Sequence, residues 1–350
     1  MNIQIKPFTP EYSDKCADLL QYLWKEDSSE RKQHFHWEYI KNVNCKDKPL
    51  AVIAVDDNDN VVGFRGYYIM SFYVNNIKQR IAFFADTVVS PTVRRQGIFS
   101  KTTSASFEYL KMNGIKIIAN LTPSWPPYYG YKKLGFVDLS EFKSVYKWGF
   151  TSLLQQKVLK KERSLDIKMV EEKLGNSRLV IDRVLPDIVI NSFKKKDCMD
   201  KIASIKDSEN IIWKTKNPHS NYVYVYTMDE NHEVDTFFWF KTSDNYVFHL
   251  GYFFASDKKK AKKTFKIFMK KIKPAAIAAW SFALNDEDKD LLSYLGFNAI
   301  PFINKIRKNP PVIVRSLQQN EKGEIDWIVN GLDIRDVNNW LLSKYDGDSF

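Results

Sequence analysis

Apolar and polar positions along the chain fall into blocks that appear twice. Ile3-Gln4-Ile5-Lys6 alternates like a half-buried strand and stops at Pro7-Phe8-Thr9-Pro10. Leu50 to Val55 is an apolar run closed by the turn cluster Asp56-Asp57-Asn58-Asp59-Asn60, and Val61 to Tyr68 and Ile81 to Val89 read as further strands. Residues 91–97 form a loop. Ile98 to Met112 reads as a helix, and Gly114 suits the left-handed position that closes one. A buried strand at 115–121, a short helix at 126–134 and final strands between Phe136 and Phe150 complete the unit. The order then recurs: strands at 179–185, 222–226, 235–241 and 246–254, a lysine-rich helix at 258–272, a strand at 275–282 and a helix at 287–295. Residues 151–178 read as a charged, helical connector, and the tail beyond Glu324 as containing a helical stretch that ends at Lys344.

Particular landmarks support a duplication. Pro10 and Pro186 lie 176 residues apart, as do Trp37 and Trp213, and Asn42 and Asn217 follow at nearly the same offset. Lys133-Leu134-Gly135-Phe136 returns as Tyr294-Leu295-Gly296-Phe297 at an offset of 161. An equal offset at two separate points outweighs chance similarity of short motifs. The smaller third offset means that the second copy has lost about fifteen residues from the middle of the unit. The predicted organisation is α/β, with a first domain at 1–150, a connector at 151–178 and a second domain at 179–350.

Composition narrows the chemistry. With 44% hydrophobic and 15% aromatic residues in 350, the chain can bury two ordinary cores. A net charge of +11 favours anionic partners without choosing among nucleic acid, acidic lipid and phosphate-bearing small molecules. Cys16, Cys45 and Cys198 are too few and too scattered for a disulfide framework or a zinc pattern. His34 and His36, two apart as on one face of a strand, lack a third ligand, so no metal site is expected. Residues 1–12 lack an apolar core of signal-peptide length, and no apolar run reaches the roughly 20 residues of a spanning helix. The cytoplasm is the expected compartment, with no membrane partner.

One segment carries chemistry: Asp86-Thr87-Val88-Val89-Ser90-Pro91-Thr92-Val93-Arg94-Arg95-Gln96-Gly97-Ile98-Phe99-Ser100. A buried strand ends at a proline, and a short basic loop with one glycine opens a helix. Such a junction aims several backbone N–H groups at one point, where an anion binds. Gly97 permits close approach of a ligand, and Arg94 and Arg95 suit a diphosphate. The glycine spacing and lysine of a Walker loop are absent. An ordinary helix start with surface arginines would share these features.

The segment resembles the acetyl-CoA motif of the GNAT superfamily: Val89-Ser90-Pro91 ends the strand, and Arg94 and Gly97 hold the basic and glycine positions. Phe99 stands where that motif has a small residue. The aromatic helix running into Gly-Phe, at Tyr131-Lys132-Lys133-Leu134-Gly135-Phe136, is the second point of resemblance. It implies two tandem GNAT-like domains, each a mixed, mostly antiparallel twisted sheet flanked by helices. It also implies that Thr87, Val88 and Val89 bind the pantetheine arm of acyl-CoA through their backbone, and that Arg94, Arg95, Gln96, Gly97, Ile98, Phe99 and Ser100 cradle its pyrophosphate. Tyr131 would protonate the departing thiolate, with Tyr128 and Tyr129 nearby. Asp86 or Glu141 would take a proton from the attacking amine. Ser256-Asp257-Lys258-Lys259-Lys260 in the second copy has no glycine and cannot form the same cradle.

The expected activity is therefore transfer of an acyl group, acetyl first, from acyl-CoA to a primary amine. Trp37-Glu38-Tyr39-Ile40-Lys41-Asn42 and the proline-rich Thr122-Pro123-Ser124-Trp125-Pro126-Pro127 resemble GNAT proteins of bacterial surface-polysaccharide pathways, which implies an amino-sugar acceptor, nucleotide-linked. A homodimer is a possible assembly. Two rivals remain open: a Fem-like transferase using aminoacyl-tRNA, against which the phosphate loop of the first domain speaks, and a non-catalytic CoA or sugar-nucleotide sensor. No nucleic-acid partner is expected on the preferred reading.

Overall fold

The computed structural model describes residues 2–45, 48–149, 167–193, 200–243, 246–299, 309–347 and 350. Cys198 and residues 151–166 of the expected connector lie outside them.

The first half runs β1 (Ile3–Pro7), α1 (Ser13–Leu19), α2 (Ser28–Phe35), β2 (Ala51–Asp56), β3 (Val61–Val74), β4 (Ile77–Val89), α3 (Ile98–Met112), β5 (Ile117–Asn120), α4 (Trp125–Lys133), β6 (Val137–Ser140) and β7 (Ser144–Trp148). The second runs β8 (Val170–Leu174), β9 (Ser177–Asp182), α5 (Asp187–Asn191), β10 (Ile202–Ser204), α6 (Ser208–Thr215), β11 (Asn221–Asp229), β12 (Val234–Ser243), β13 (Val247–Ala255), α7 (Lys258–Ile272), β14 (Ala276–Trp280), α8 (Asp286–Leu295), β15 (Asn298–Ala299) and β16 (Val312–Ser316). The sequence places α3 and α7 at their observed limits. The hairpin of β3 and β4 is longer than expected, because Asn75 and Asn76 both adopt positive φ and turn the chain tightly.

Two mixed sheets form, and the halves exchange strands: β7 joins the second sheet and β16 the first, to which the second half also adds β10 antiparallel to the end of β3, with Trp340–Leu341 beside it. The first sheet has the order β1-β2-β3-β4-β5-β16-β6, and the second β15-β7-β14-β13-β12-β11-β9-β8. β7 lies antiparallel between β14 and β15, and β16 lies antiparallel between β5 and β6. A boundary at residue 150 therefore does not separate the sheets. The expected helical connector is also corrected at its end: residues 170–178 belong to the β8–β9 hairpin, whose register runs from Val170↔Ile181 to Leu174↔Ser177, while the strand expected from Leu179 is its second arm. The expected helix before Lys344 is replaced by short strand pairs and a 3₁₀ turn at Lys344–Asp346, where Asp346 accepts from Ser343 N.

The two sheets share a core. Phe72, Phe83 and Ile117 of the first meet Tyr224, Phe237 and Trp239 of the second in one apolar cluster. α3 and α4 cover the far face of the first sheet, and α7 and α8 that of the second. The duplicated tryptophans meet across the centre. Trp37 and Trp213 stack with centroids 5.0 Å apart at 15°. Each indole donates to the other's backbone carbonyl, at 2.9 Å from Trp37 and 3.1 Å from Trp213. That reciprocity is what a local two-fold relation between the copies produces. Asn42 and Asn217 make matching turns, accepting from Asn44 N at 2.9 Å and His219 N at 3.0 Å. The first copy has one residue more between its Trp and Asn. It is absorbed as a π turn over His36–Ile40, with Lys41 N bonded to His36 O at 2.7 Å. His34 and His36 are thus helical rather than in a strand, and the ring of His34 stacks on His219 at 4.2 Å.

Candidate active site

The first sheet opens at β4. Its register with β3 passes from Arg65↔Thr87 to Tyr67↔Phe84, so Gly66 faces both Ala85 and Asp86. This bulge bends β4. β5 pairs with β4 only at Ala82 and Phe83. Among the described residues, the outer edge of β4 has no strand partner from Phe84 to Val89, and its peptide groups line a wedge. Thr87, Val88 and Val89 lie in that stretch, as the sequence reading requires. The ring of Tyr39 fills the space above Gly66, where an added Cβ would meet its hydroxyl at 2.4 Å.

At the end of β4 the chain makes a 3₁₀ turn, Pro91–Val93, and buries Val93 beside Ala54, Val62 and Ile98. Arg95 (φ 66°) and Gly97 (φ 75°) then take left-handed conformations that turn the chain into α3. Gly97 is the N-cap and offers no side chain to the helix terminus. An added Cβ there would meet nothing within 4 Å. The first N–H groups of α3 thus face open space, with exposed Arg94, Arg95 and Gln96 around them. Ile98 is buried and pins the helix to the sheet: a Cβ on Gly63 would stand 2.9 Å from it. These features fit an anionic, extended ligand with its diphosphate at α3 and its arm along β4.

On the α3 side, Tyr131 is buried and stacked on Phe84, with centroids 4.4 Å apart at 16°. Its hydroxyl accepts from Arg65 Nη2 at 3.0 Å. Tyr128 instead donates to Asp138 at 2.8 Å; burial first, then this carboxylate, push its pKa up to about 12. Tyr129 is 60% exposed. Asp86 projects to the opposite face, where its oxygens accept from Trp24 Nε1 at 2.8 Å and from Tyr39 at 3.0 Å. Burial, then the charge of Asp86, hold the Tyr39 phenol well above its usual pKa, so it stays a donor. Glu141 is exposed and pairs with Lys143 at 3.7 Å, so the structure does not bring it into this group.

Residues 4–137 match the family model of an acetyltransferase (GNAT) domain. Over these residues the first half is similar to a GNAT domain. No curated protein matches the chain. Among solved structures, a probable N-acyltransferase from Enterococcus faecalis V583 aligns at 10% identity and TM-score 0.62, covering 91% of this chain and 73% of that one. A GCN5-related N-acetyltransferase from Anabaena variabilis ATCC 29413 aligns at 11% identity and TM-score 0.60, with the same coverages. A tandem GNAT protein from the clavulanic acid biosynthesis pathway aligns at 9% identity and TM-score 0.52, covering 91% of this chain and all of that one. At these identities the likeness is one of fold, and it extends across both halves as a tandem GNAT arrangement.

The second half keeps the GNAT-like outline and lacks the openings. β12 has 10 residues where β3 has 14, and β13 has 9 where β4 has 13. Two residues rather than eight lead into the helix. Asp257 caps α7 by accepting from Lys259 N and Lys260 N, so a carboxylate of the chain already occupies that helix terminus. Those two N–H groups hold its pKa below the usual range. β13 has its own bulge at Gly251, and the ring of Phe350 fills it; an added Cβ there would fall 1.9 Å from that ring.

Sequence reasoning missed Trp24 and Arg65, and it marked Tyr39 only within the Trp37–Asn42 motif, not as a partner of Asp86. A lone arginine inside the apolar run 61–68 was the available signal for Arg65.

Proposed function

We propose that the protein is an acyl-CoA-dependent N-acyltransferase whose chemistry lies in the first domain, residues 1–150 in the sequence reading. The observation that carries this reading is the pairing of an uncapped, glycine-fronted helix terminus at Gly97 with a bulged, unpaired β4 edge. In the second domain both features are blocked by groups of the chain itself, which supports a structural role for it.

When bound, the thioester supplies an activated acyl group and a thiolate leaving group. The N–H groups at Gly97, Ile98, Phe99 and Ser100, with Arg94, Arg95 and Gln96, hold the diphosphate. The backbone of Thr87, Val88 and Val89 holds the pantetheine arm. Asp86, fixed by Trp24 and Tyr39, draws the proton from the attacking amine directly or through a water. Tyr131 gives its proton to the departing thiolate. Its hydroxyl accepts from Arg65, which leaves its own hydrogen free to donate.

The acceptor we propose is an amino sugar, nucleotide-linked. Tyr22, Leu23 and Trp24 are 47%, 41% and 47% exposed between α1 and α2, and the indole of Trp24 is tied to Asp86. An aromatic face beside a carboxylate suits a pyranose ring bearing an ammonium. An acyl-CoA co-substrate puts the reaction in the cytoplasm. Mass spectrometry of the purified protein for bound acyl-CoA, followed by thiol release over a panel of amino-sugar nucleotides, tests the reading. Failure of acyl-CoA to bind would refute it. Turnover with amines other than amino sugars would refute only the acceptor.

A further inference from the structure

Beneath α3 the first half holds a buried cation that the described part of the chain does not neutralise. Arg65, on β3, is fully buried. Its Nη2 donates to Thr103 Oγ1 at 3.1 Å and to Tyr131 at 3.0 Å. Among the described residues its Nε and Nη1 have no acceptor and no carboxylate pairs with it. Aromatic rings surround it instead: the guanidinium carbon lies 4.4 Å from the Phe84 centroid, 5.3 Å from Tyr131 and 5.4 Å from Phe99. Ring faces attract a cation, but they do not replace the lost acceptors of its N–H groups. A charged group with open donors in an apolar site is among the costliest arrangements a core can hold, unless a ligand brings the counter-charge.

A second orphan lies beside it. Thr87 is directly across from Arg65 in the β3–β4 register, so both side chains point to the same face. Thr87 Oγ1 is also buried without a partner. Thr87 stands on the unpaired part of β4, which is the wall of the wedge. Over both lie Phe99 of α3 and Tyr131 of α4. Phe99 packs so closely on α4 that a Cβ at Gly130 would come within 2.7 Å of its ring.

We propose that the transferred acyl group ends in a carboxylate, which Arg65 and Thr87 bind; the donor is the CoA thioester of a dicarboxylic acid. The proposal rests on the acyl-CoA reading above and names its acyl group. The diphosphate is already served by the open terminus at Gly97 and by exposed Arg94 and Arg95. Thr103, which anchors Arg65, is five residues beyond Ile98, about 7.5 Å farther along the helix. The buried cation therefore calls for a second anion at the inner end of the wedge. A terminal carboxylate supplies the missing charge and acceptors for the open N–H groups and the Thr87 hydroxyl.

Calorimetric titration of the full chain with acetyl-CoA, butyryl-CoA and succinyl-CoA tests this, the last two having acyl chains of equal length. Wild type should bind succinyl-CoA about 10–100-fold more tightly than butyryl-CoA, the range of hydrogen bonds to a charged group. Arg65→Met should abolish that preference. Thr87→Val, which leaves the guanidinium in place, should reduce it and serves if Arg65→Met does not fold. Equal affinities for succinyl-CoA and butyryl-CoA in wild type overturn the proposal and leave the acyl-CoA reading intact. A loss in Arg65→Met that is the same for all three esters also overturns it and assigns the cation to the phosphates. If none of the three esters binds, the acyl-CoA reading falls and this proposal with it.

Discussion

Gly97 serves by lacking a side chain. Its φ of 75° is one that glycine adopts freely, and open space surrounds its missing Cβ. Gly97→Glu should therefore fold, at a cost of about 1–2 kcal/mol for the left-handed backbone. The new carboxylate would lie at the helix terminus, as Asp257 does at α7, and repel a diphosphate. Calorimetry should find acyl-CoA binding abolished in a folded variant; unchanged affinity would exclude the loop as the cradle. Tyr131→Phe should lower kcat by ~10²–10⁴-fold while acyl-CoA affinity stays close to wild type. The loss should shrink with a thioester whose thiolate needs no proton. It should also cost about 1–3 kcal/mol of stability, because Arg65 loses an acceptor. Wild-type kinetics in Tyr131→Phe together with a crippled Tyr128→Phe or Tyr129→Phe would move the acid to another tyrosine. At this scale the sequence marked the loop, whose function is borne by the backbone and announced by glycine, arginine and proline. It did not mark the partners of Asp86, since nothing local links Trp24 or Tyr39 to a strand 47–62 residues away.

Among the elements, the exchanged strands have the clearest consequence. A chain cut at residue 150 would keep β7, whose partners β14 and β15 are gone, and would lack β16 between β5 and β6. Two open sheet edges and an orphan strand favour aggregation. Residues 1–150 alone should thus be insoluble or unfolded by circular dichroism. Residues 1–143 joined through a linker to 309–347 should recover a cooperative transition. A well-folded 1–150 fragment would show that the exchange is dispensable. The Trp37–Trp213 contact makes a second test. Either Trp→Ala change should cost about 3–5 kcal/mol, and by the local two-fold relation the two losses should be similar. Helices α3 and α7 were legible because each carries its own start and stop signals. Strand β8 at 170–174 was not, since its charged residues Glu171, Glu172 and Lys173 lie on an edge strand and hide the alternation, whereas its partner β9 was read as a strand from Leu179.

Across the whole molecule, the junction of the halves should respond to acid. His34, on α2, is stacked on His219 of the second half, and burial, then the neighbouring His219, lower its pKa to about 3. Glu38, 3.7 Å away, pulls the other way, but burial dominates. A histidine whose folded pKa lies below its unfolded value of about 6.5 binds fewer protons when folded. Its contribution is complete above pH 6.5 and is lost as pH falls toward 3, at up to about 1.4 kcal/mol per pH unit. Thermal unfolding should show Tm declining between pH 7 and 5, and His34→Gln should flatten that decline. An equal slope in the variant would place the acid sensitivity elsewhere.

By itself the sequence determined the α/β class, the duplication, most strand and helix positions in both copies, and the basic strand–loop–helix at 86–100. These are encoded locally, in hydrophobic period, turn residues and repeated landmarks, so they can be read without knowing what packs against what. Only the tertiary structure decided that β7 and β16 change sheets. Which edge a strand joins depends on the edges left open by segments more than a hundred residues away. The same holds for Phe350 at Gly251 and for the buried Arg65 opposite Thr87. A ring or a cation in the sequence carries no sign of the cavity it will fill, or of the charge it will lack, until the sheets have closed around it.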